Sequence, residues 1–270
     1  MDQRPIGVFD SGLGGLTAVR EMRRLMPSEN IIYFGDTSRV PYGGRSPEIL
    51  LKYARQDVHF LRSFDIKAVL VACGTVSTTA LPQLQAENDL PILGVVEPAC
   101  RKAAAMTRNR RVGLIATAAS VRSGAYERTL HRLDETIHVV SRACPLLVPL
   151  GENGRYQPGD AVIETVAREY LEPLRQEGLD VLILGCTHYP LLTDIIREIM
   201  GPEVSLVNAG AESVHTLHDA LARRQLLAPE GTGQALLCTS DRPEGFGQMA
   251  RRFLQEEPTA PVRLVDIERY

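Results

Sequence analysis

Two apolar runs constrain the fold of this chain more than any other feature: Val69-Leu70-Val71-Ala72-Cys73-Gly74-Thr75 and Leu182-Ile183-Leu184-Gly185-Cys186-Thr187-His188-Tyr189-Pro190. Each ends in a small residue, a cysteine and a polar turn. An apolar run without polar alternation, bounded by glycine and turn formers, reads as a strand buried on both faces, the kind that parallel sheets contain. Each cysteine therefore stands where a buried strand ends. In open α/β sheets ligands bind in the crevice outside that carboxyl edge, so the chain offers two candidate thiols at two equivalent places.

The rest of the chain fits the same pattern. Ile6-Gly7-Val8-Phe9 is a first buried strand ending in Asp10-Ser11, and the turn Gly12-Leu13-Gly14-Gly15-Leu16-Thr17 leads into a helix with Leu16, Val19, Met22 and Met26 at helical spacing. Asp36, after a second strand over 31–35, invites a dinucleotide reading. Thr17 stands where the third glycine of G-x-G-x-x-G belongs, so a tight strand-to-helix turn with backbone amides open to an anion is preferred. Val40 to Arg45 is a loop by its Pro and Gly content, and Ser46-Pro47-Glu48 opens a helix reaching about residue 64. A helix over 75–84, a strand over 91–96 and a helix over 99–106 follow.

The pattern then begins again. Val112-Gly113-Leu114-Ile115-Ala116-Thr117 echoes the first strand, and the two cysteine strands echo each other at nearly the same offset, which suggests two α/β halves of like topology. The second half is expected to hold helices over 123–133, 160–177, 191–200 and 208–224, with strands over 136–140 and 204–207. A tail strand over 234–239, a helix over 246–254 and a last strand over 262–265 are expected to return to the first half. The fold class is thus α/β: two similar domains with mainly parallel sheets, pseudo-twofold related, spanning residues 1–96 plus 209–270 and 97–208, with the active site in the cleft between them.

Composition narrows the chemistry. With 44% hydrophobic and 23% charged residues and a formal net charge of −3, the chain lacks the electrostatic signature of a nucleic-acid or membrane-surface binder. No apolar run approaches the roughly 18 residues of a membrane span, and the start runs straight into a strand, so a cytoplasmic location is expected. Five cysteines, an odd number without framework spacing, fit a reducing compartment. The three lysines, Lys52, Lys67 and Lys102, lie in helical patterns or at a strand's beginning, which argues against a pyridoxal-phosphate Schiff base. No C-x-x-C pair or H-E-x-x-H accompanies the thiols, and no metal is expected.

A cation, a helix amino-terminus or a general base lowers a thiol from its ordinary pKa of about 8.5 towards neutrality. Cys100, Cys144 and Cys238 read as small buried hydrophobes. Cys73 and Cys186 read as functional, because equivalent strand ends coincide with the polar neighbours Thr75, Thr187 and His188. His188, two residues from Cys186, is placed to serve the thiol or a ligand as acid or base. Asp10 ends a buried strand and opens onto the same crevice as Cys73, while Arg108, Arg110 and Arg111 read as a solvated loop. If a substrate with an acidic C–H lies between two thiols, one thiolate removes the proton and the other thiol delivers one to the opposite face. That inverts a stereocentre.

These residues resemble the aspartate/glutamate racemase superfamily, and within it the glutamate racemases, over nearly the whole chain. The motifs that carry the resemblance are Gly7 to Thr17, Gly35-Asp36-Thr37 with Pro41-Tyr42-Gly43, Ala72-Cys73, Gly94-Val95-Val96-Glu97-Pro98, Cys144-Pro145-Leu146 with Val148-Pro149-Leu150, and Gly185-Cys186-Thr187-His188-Tyr189-Pro190. The resemblance implies Cys73 and Cys186 as acid/base thiols, with Asp10 and His188 assisting and Glu152 a third helper. It implies substrate contacts from Asp10, Ser11, Pro41, Tyr42, Gly43, Gly74, Thr75, Thr117, Ser120, Thr187 and His188. It further implies a cofactor-independent enzyme interconverting L- and D-glutamate and supplying D-glutamate for peptidoglycan; we also expect a homodimer. Two positions depart from the family pattern: Gly74 stands where Asn is usual, which removes a polar contact and frees the loop carrying Cys73, and Ser120 stands where Thr is usual. Two alternatives stay open: a racemase of the same fold acting on another acidic amino acid such as aspartate, and a non-catalytic amino-acid or nucleotide-binding protein.

Overall fold

The computed structural model describes residues 1–258 and 260–270. The first half of the chain alternates strand and helix: β1 (Ile6–Asp10), α1 (Leu16–Leu25), β2 (Ile31–Gly35), α2 (Pro47–Arg62), β3 (Ala68–Val71), α3 (Gly74–Thr79), α4 (Leu81–Glu87), β4 (Ile92–Gly94) and α5 (Val96–Met106). The second continues with β5 (Arg111–Ala116), α6 (Ala118–Ser123), α7 (Ala125–Leu133), β6 (His138–Ala143), α8 (Leu147–Glu152), α9 (Ala161–Gln176), β7 (Val181–Leu184), α10 (Thr193–Met200) and β8 (Ser205–Asn208). The tail adds α11 (Ala209–Arg223), β9 (Ala235–Thr239), α12 (Pro243–Leu254) and β10 (Arg263–Leu264).

The strands form two separate parallel sheets, ordered β10-β9-β2-β1-β3-β4 and β6-β5-β7-β8. β1, β2, β3 and β7 are buried at every position, as apolar strands covered by helices on both faces must be. The tail returns to the first sheet, where β9 lies beside β2 with Ile31 opposite Ala235. A buried ion pair fixes that return: Lys67 Nζ lies 2.6 Å from Glu29 and donates to the carbonyls of Asp2 and Leu226, while Glu29 accepts from the amide of Ala228. Apolar clusters cover both faces of each sheet, with α1, α11 and α12 on one side of the first and α2 to α4 on the other. On the second sheet α9 and α10 pack opposite α5 and α7.

Several elements depart from the sequence reading for local reasons. The single helix expected over 75–84 is two, α3 and α4. Thr78 and Thr79 turn their hydroxyls back to the Thr75 carbonyl, and Pro82 in the first turn of α4 has no amide to continue α3. The helix expected from residue 99 begins at Val96, because Glu97 and Pro98 suit a first turn. The helix expected over 123–133 is preceded by α6 and separated from it by Gly124, whose φ of 62° glycine adopts without strain. The helix over 191–200 starts as the 3₁₀ turn Tyr189–Leu192 before α10. β6 runs to Ala143, three residues beyond the expected strand end. The sequence reading assigned no helix over 147–152, where Pro149 and Gly151 weaken the helical signal; it folds as α8.

Candidate active site

Parallel strands send all their carboxyl ends in one direction, so each sheet gathers its strand-end residues along one edge. Asp10 ends β1, Cys73 follows β3, Thr117 follows β5, and Cys186 follows β7. The two edges face each other across a cleft of ≈ 580 Å³. Its lining includes Asp10, Ser11, Pro41, Tyr42, Gly43, Cys73, Gly74, Thr75, Thr117, Glu152, Cys186, Thr187 and His188.

On the first sheet Cys73 is 4% exposed and its Sγ lies 3.7 Å from Ser11 Oγ. Burial, and next to it the charge of Asp10, pushes this thiol up to about 12. Asp10 is itself locked by the glycine turn: its Oδ2 accepts from the amides of Gly12 at 3.3 Å and Gly15 at 3.0 Å. Its Oδ1 is buried and finds no partner among the described residues, which leaves one acceptor free at the cleft.

The second sheet supports its thiol differently. Cys186 Sγ lies 3.9 Å from His188 Nδ1, and His188 Nε2 lies 2.9 Å from Glu152 Oε1. Burial alone would lower the imidazole, yet its bonds to Cys186 and Glu152 outweigh that and raise it to about 10. The ring stands edge-on to Phe253 of α12, with centroids 5.4 Å apart, so the returning tail braces a residue of the second sheet.

The two edges also touch directly beneath the cleft. Thr17 donates its hydroxyl to the Thr187 carbonyl at 3.1 Å. A Cβ at Gly14 would lie 2.1 Å from Thr187 Oγ1, and one at Gly74 would lie 2.4 Å from the Gly185 carbonyl oxygen. Gly74 therefore does not loosen the Cys73 loop as its residue type suggests. It is the buried first residue of α3, and its missing side chain lets the two strand ends approach.

Two expected contacts are turned away from the cleft. Ser120 is not part of the lining; its hydroxyl sits behind Thr117, 3.0 Å from Thr117 Oγ1, which in turn lies 3.0 Å from Thr75 Oγ1. Tyr42 lines the cleft, but its phenol donates inward to Asp36. The lining also holds residues that the sequence reading passed over. Cys144, read as a buried hydrophobe, lies on the wall with Pro145, Val148 and Pro149, within a motif quoted only for its family pattern. Arg122, at the end of α6, is exposed at the rim and makes no ion pair among the described residues. No local pattern singles it out.

Comparison with known proteins places this architecture. The family model for Asp/Glu/Hydantoin racemase matches residues 17–215. The chain is 46% identical to a glutamate racemase of Geobacter metallireducens over 94% of each sequence, and 40% identical to one of Thermoanaerobacter pseudethanolicus over 100% of each. Glutamate racemase isoform RacE1 from Bacillus anthracis superposes with a TM-score of 0.94 at 36% identity, covering 98% of both chains. The glutamate racemase of Francisella tularensis, solved in complex with D-glutamate, does so at 0.92 and 34% over the full length of both. The shared sheets, the shared length and these identities together make the chain an isomerase that belongs to the Asp/Glu/Hydantoin racemase family.

Proposed function

We propose that this protein interconverts L- and D-glutamate by proton transfer between two cysteines on opposite faces of the substrate α-carbon. The observation that carries this reading is the placement of Cys73 and Cys186 at equivalent strand ends lining one cleft, with Ser11 beside the first thiol and His188 beside the second. In one direction the Cys186 thiolate, paired with cationic His188, takes the α-proton, the C–H electron pair passes to the carbanion, and the Cys73 thiol returns a proton from the other side. Cys186 is then a thiol and Cys73 a thiolate. The reverse reaction uses the same groups with their roles exchanged, Asp10 and His188 carrying the resetting protons and Glu152 holding the His188 ring.

Substrate binding follows from the same wall. The free Oδ1 of Asp10 suits the ammonium group, and the Thr75, Thr117 and Thr187 hydroxyls suit the carboxylates. Ser11, Pro41, Tyr42 and Gly43 close the side of the first sheet, and Ser120 acts through Thr117. Family membership sets aside the purely binding alternative. Glutamate is favoured by the full-length likeness to glutamate racemases, one of them solved with D-glutamate. We further assign the protein to the cytoplasm, as a homodimer supplying D-glutamate for peptidoglycan; five free cysteines suit a reducing compartment, and no described helix is long and apolar enough to cross a membrane.

The test is solvent exchange. In deuterium oxide, either enantiomer of glutamate is expected to lose optical activity and gain deuterium at the α-carbon, and Cys73→Ala and Cys186→Ala are each expected to stop both. Exchange that survives both substitutions overturns the two-thiol mechanism. Aspartate turnover equal to or above that of glutamate overturns the substrate assignment.

A further inference from the structure

Asp36 directly follows β2, and it does not line the cleft. Its carboxylate lies fully buried behind the wall formed by Pro41, Tyr42 and Gly43. Oδ2 accepts the phenol proton of Tyr42 and a bond from Arg39 Nε at 2.5 Å, while Oδ1 accepts from Ser240 of the returning tail at 2.8 Å. Arg39 also reaches Asp57 Oδ1 on α2 at 3.1 Å and Gln56 at 2.5 Å, and its guanidinium covers the Tyr53 ring at 4.1 Å. Two carboxyl groups with 0% exposure thus share one guanidinium. If both were ionised, a buried negative charge would be left without a partner.

The hydrogen bonds of Tyr42 point the same way. The Tyr42 hydroxyl carries one hydrogen and gives it to Asp36, yet its oxygen also faces Asp57 Oδ2 at 3.4 Å. With that hydrogen on Asp36, a protonated Asp57 carboxyl can donate to the Tyr42 oxygen, whereas an ionised one would face it with no proton between them. We propose that Asp57 stays a neutral carboxylic acid and that Asp57, Tyr42, Asp36 and Arg39 form one charge-balanced relay that positions the Pro41-Tyr42-Gly43 wall of the cleft. The groups acting on Asp57 agree with this: Asp36, Asp10 and Tyr42 are acids, Arg39 is the one cation in the relay, and Glu268 reaches Arg39 from the solvent side at 3.5 Å. Burial first, and then the charge of Asp36, pushes the Asp57 carboxyl well above the usual carboxylate range.

These are positioning residues for the proposed racemase, and this assignment rests on that reading of the cleft. Their effect is on where the wall stands, so it is read in KM rather than kcat. Asp57→Asn copies the shape of the neutral acid and keeps a donor towards Tyr42, so KM and kcat for glutamate are expected to stay within about twofold at neutral pH. Asp36→Asn leaves Arg39 with only Glu268, at the solvent side, as an ionised partner and is expected to raise KM about tenfold with a smaller change in kcat. In the wild-type protein KM is expected to climb at alkaline pH as Asp57 ionises, and in Asp57→Asn that climb is absent. Infrared difference spectra of wild type against Asp57→Asn are expected to show one protonated-carboxyl band lost. A spectrum without that band, or an Asp57→Asn variant as impaired as Asp36→Asn, overturns the proposal. If Asp36→Asn does not fold, the infrared comparison decides alone. A wild-type protein without glutamate turnover would sink the racemase reading and leave the infrared result to judge the relay.

Discussion

Cys73 and Cys186 occupy the same position on their two sheets, two residues beyond the end of a buried strand, and they differ in what surrounds them. Burial, and next to it the charge of Asp10, raise the Cys73 thiol to about 12 and keep it neutral, although the Ser11 hydroxyl works the other way. Cys186 stands beside an imidazole that Glu152 and the thiol itself keep protonated up to about pH 10. Equal geometry thus comes with unequal electrostatics, a neutral thiol on one side and a thiol beside a cationic imidazole on the other. The proposed two-base proton transfer needs such an asymmetry, since two thiols or two thiolates would leave one step without a partner.

The comparison breaks outright if the two thiols are not both needed. Cys73→Ala and Cys186→Ala are each expected to lower kcat for glutamate by about a thousandfold or more, followed by circular dichroism from either enantiomer. Next in size is the support of His188. Glu152→Gln removes one of the two groups that raise the imidazole, so the alkaline limb of kcat/KM is expected to move to lower pH, with kcat down about tenfold to a hundredfold. An unmoved limb would show that His188 does not govern the Cys186 side.

A smaller effect tests the Cys73 side. Asp10→Asn removes the charge that adds to burial, so the pH at which Cys73 reacts with iodoacetamide is expected to fall; burial, the larger cause, remains and keeps it above the ordinary thiol value. The smallest effect is on stability. The folded state holds protons more tightly than the unfolded chain at both sites, because both values are raised. The His188 contribution is complete below 6.5 and lost as pH rises through about 10, and the Cys73 contribution is complete below 9.0 and lost through about 12. Melting temperature is therefore expected to decline from about neutral pH upward, the His188→Asn variant flattening the earlier part of the decline and Cys73→Ala the later part.

The parts of the site that ride on strand ends were legible in the chain. Asp10, Cys73, Thr117 and Cys186 each follow an apolar run, and a parallel sheet delivers such residues to one edge whatever packs around them. Glu152 entered only through family likeness, since α8 carries Pro149 and Gly151 and its approach to His188 depends on how that helix sits on the second sheet. Tyr42 and Ser120 show a different limit. Their residue types suggest hydroxyl contacts with a ligand, yet both hydroxyls are spent inside the protein, on Asp36 and Thr117, because buried polar groups must find partners there. Arg122 and Cys144 reach the cleft by the placement of α6 and of the segment after β6, which leaves no periodic trace.

Hydrophobic runs, glycine turns and helix caps act over a few residues, so the sequence by itself determined the two parallel-sheet halves and put a thiol at the end of a strand in each. Only the tertiary structure decided which groups those thiols would meet. The His188–Glu152 pair, the Phe253 brace, the approach of Gly74 to Gly185 and the relay from Asp57 to Asp36 all join segments distant in the chain. Their energies depend on burial and on the last few tenths of an ångström of packing, and neither is set until both sheets and the returning tail are in place.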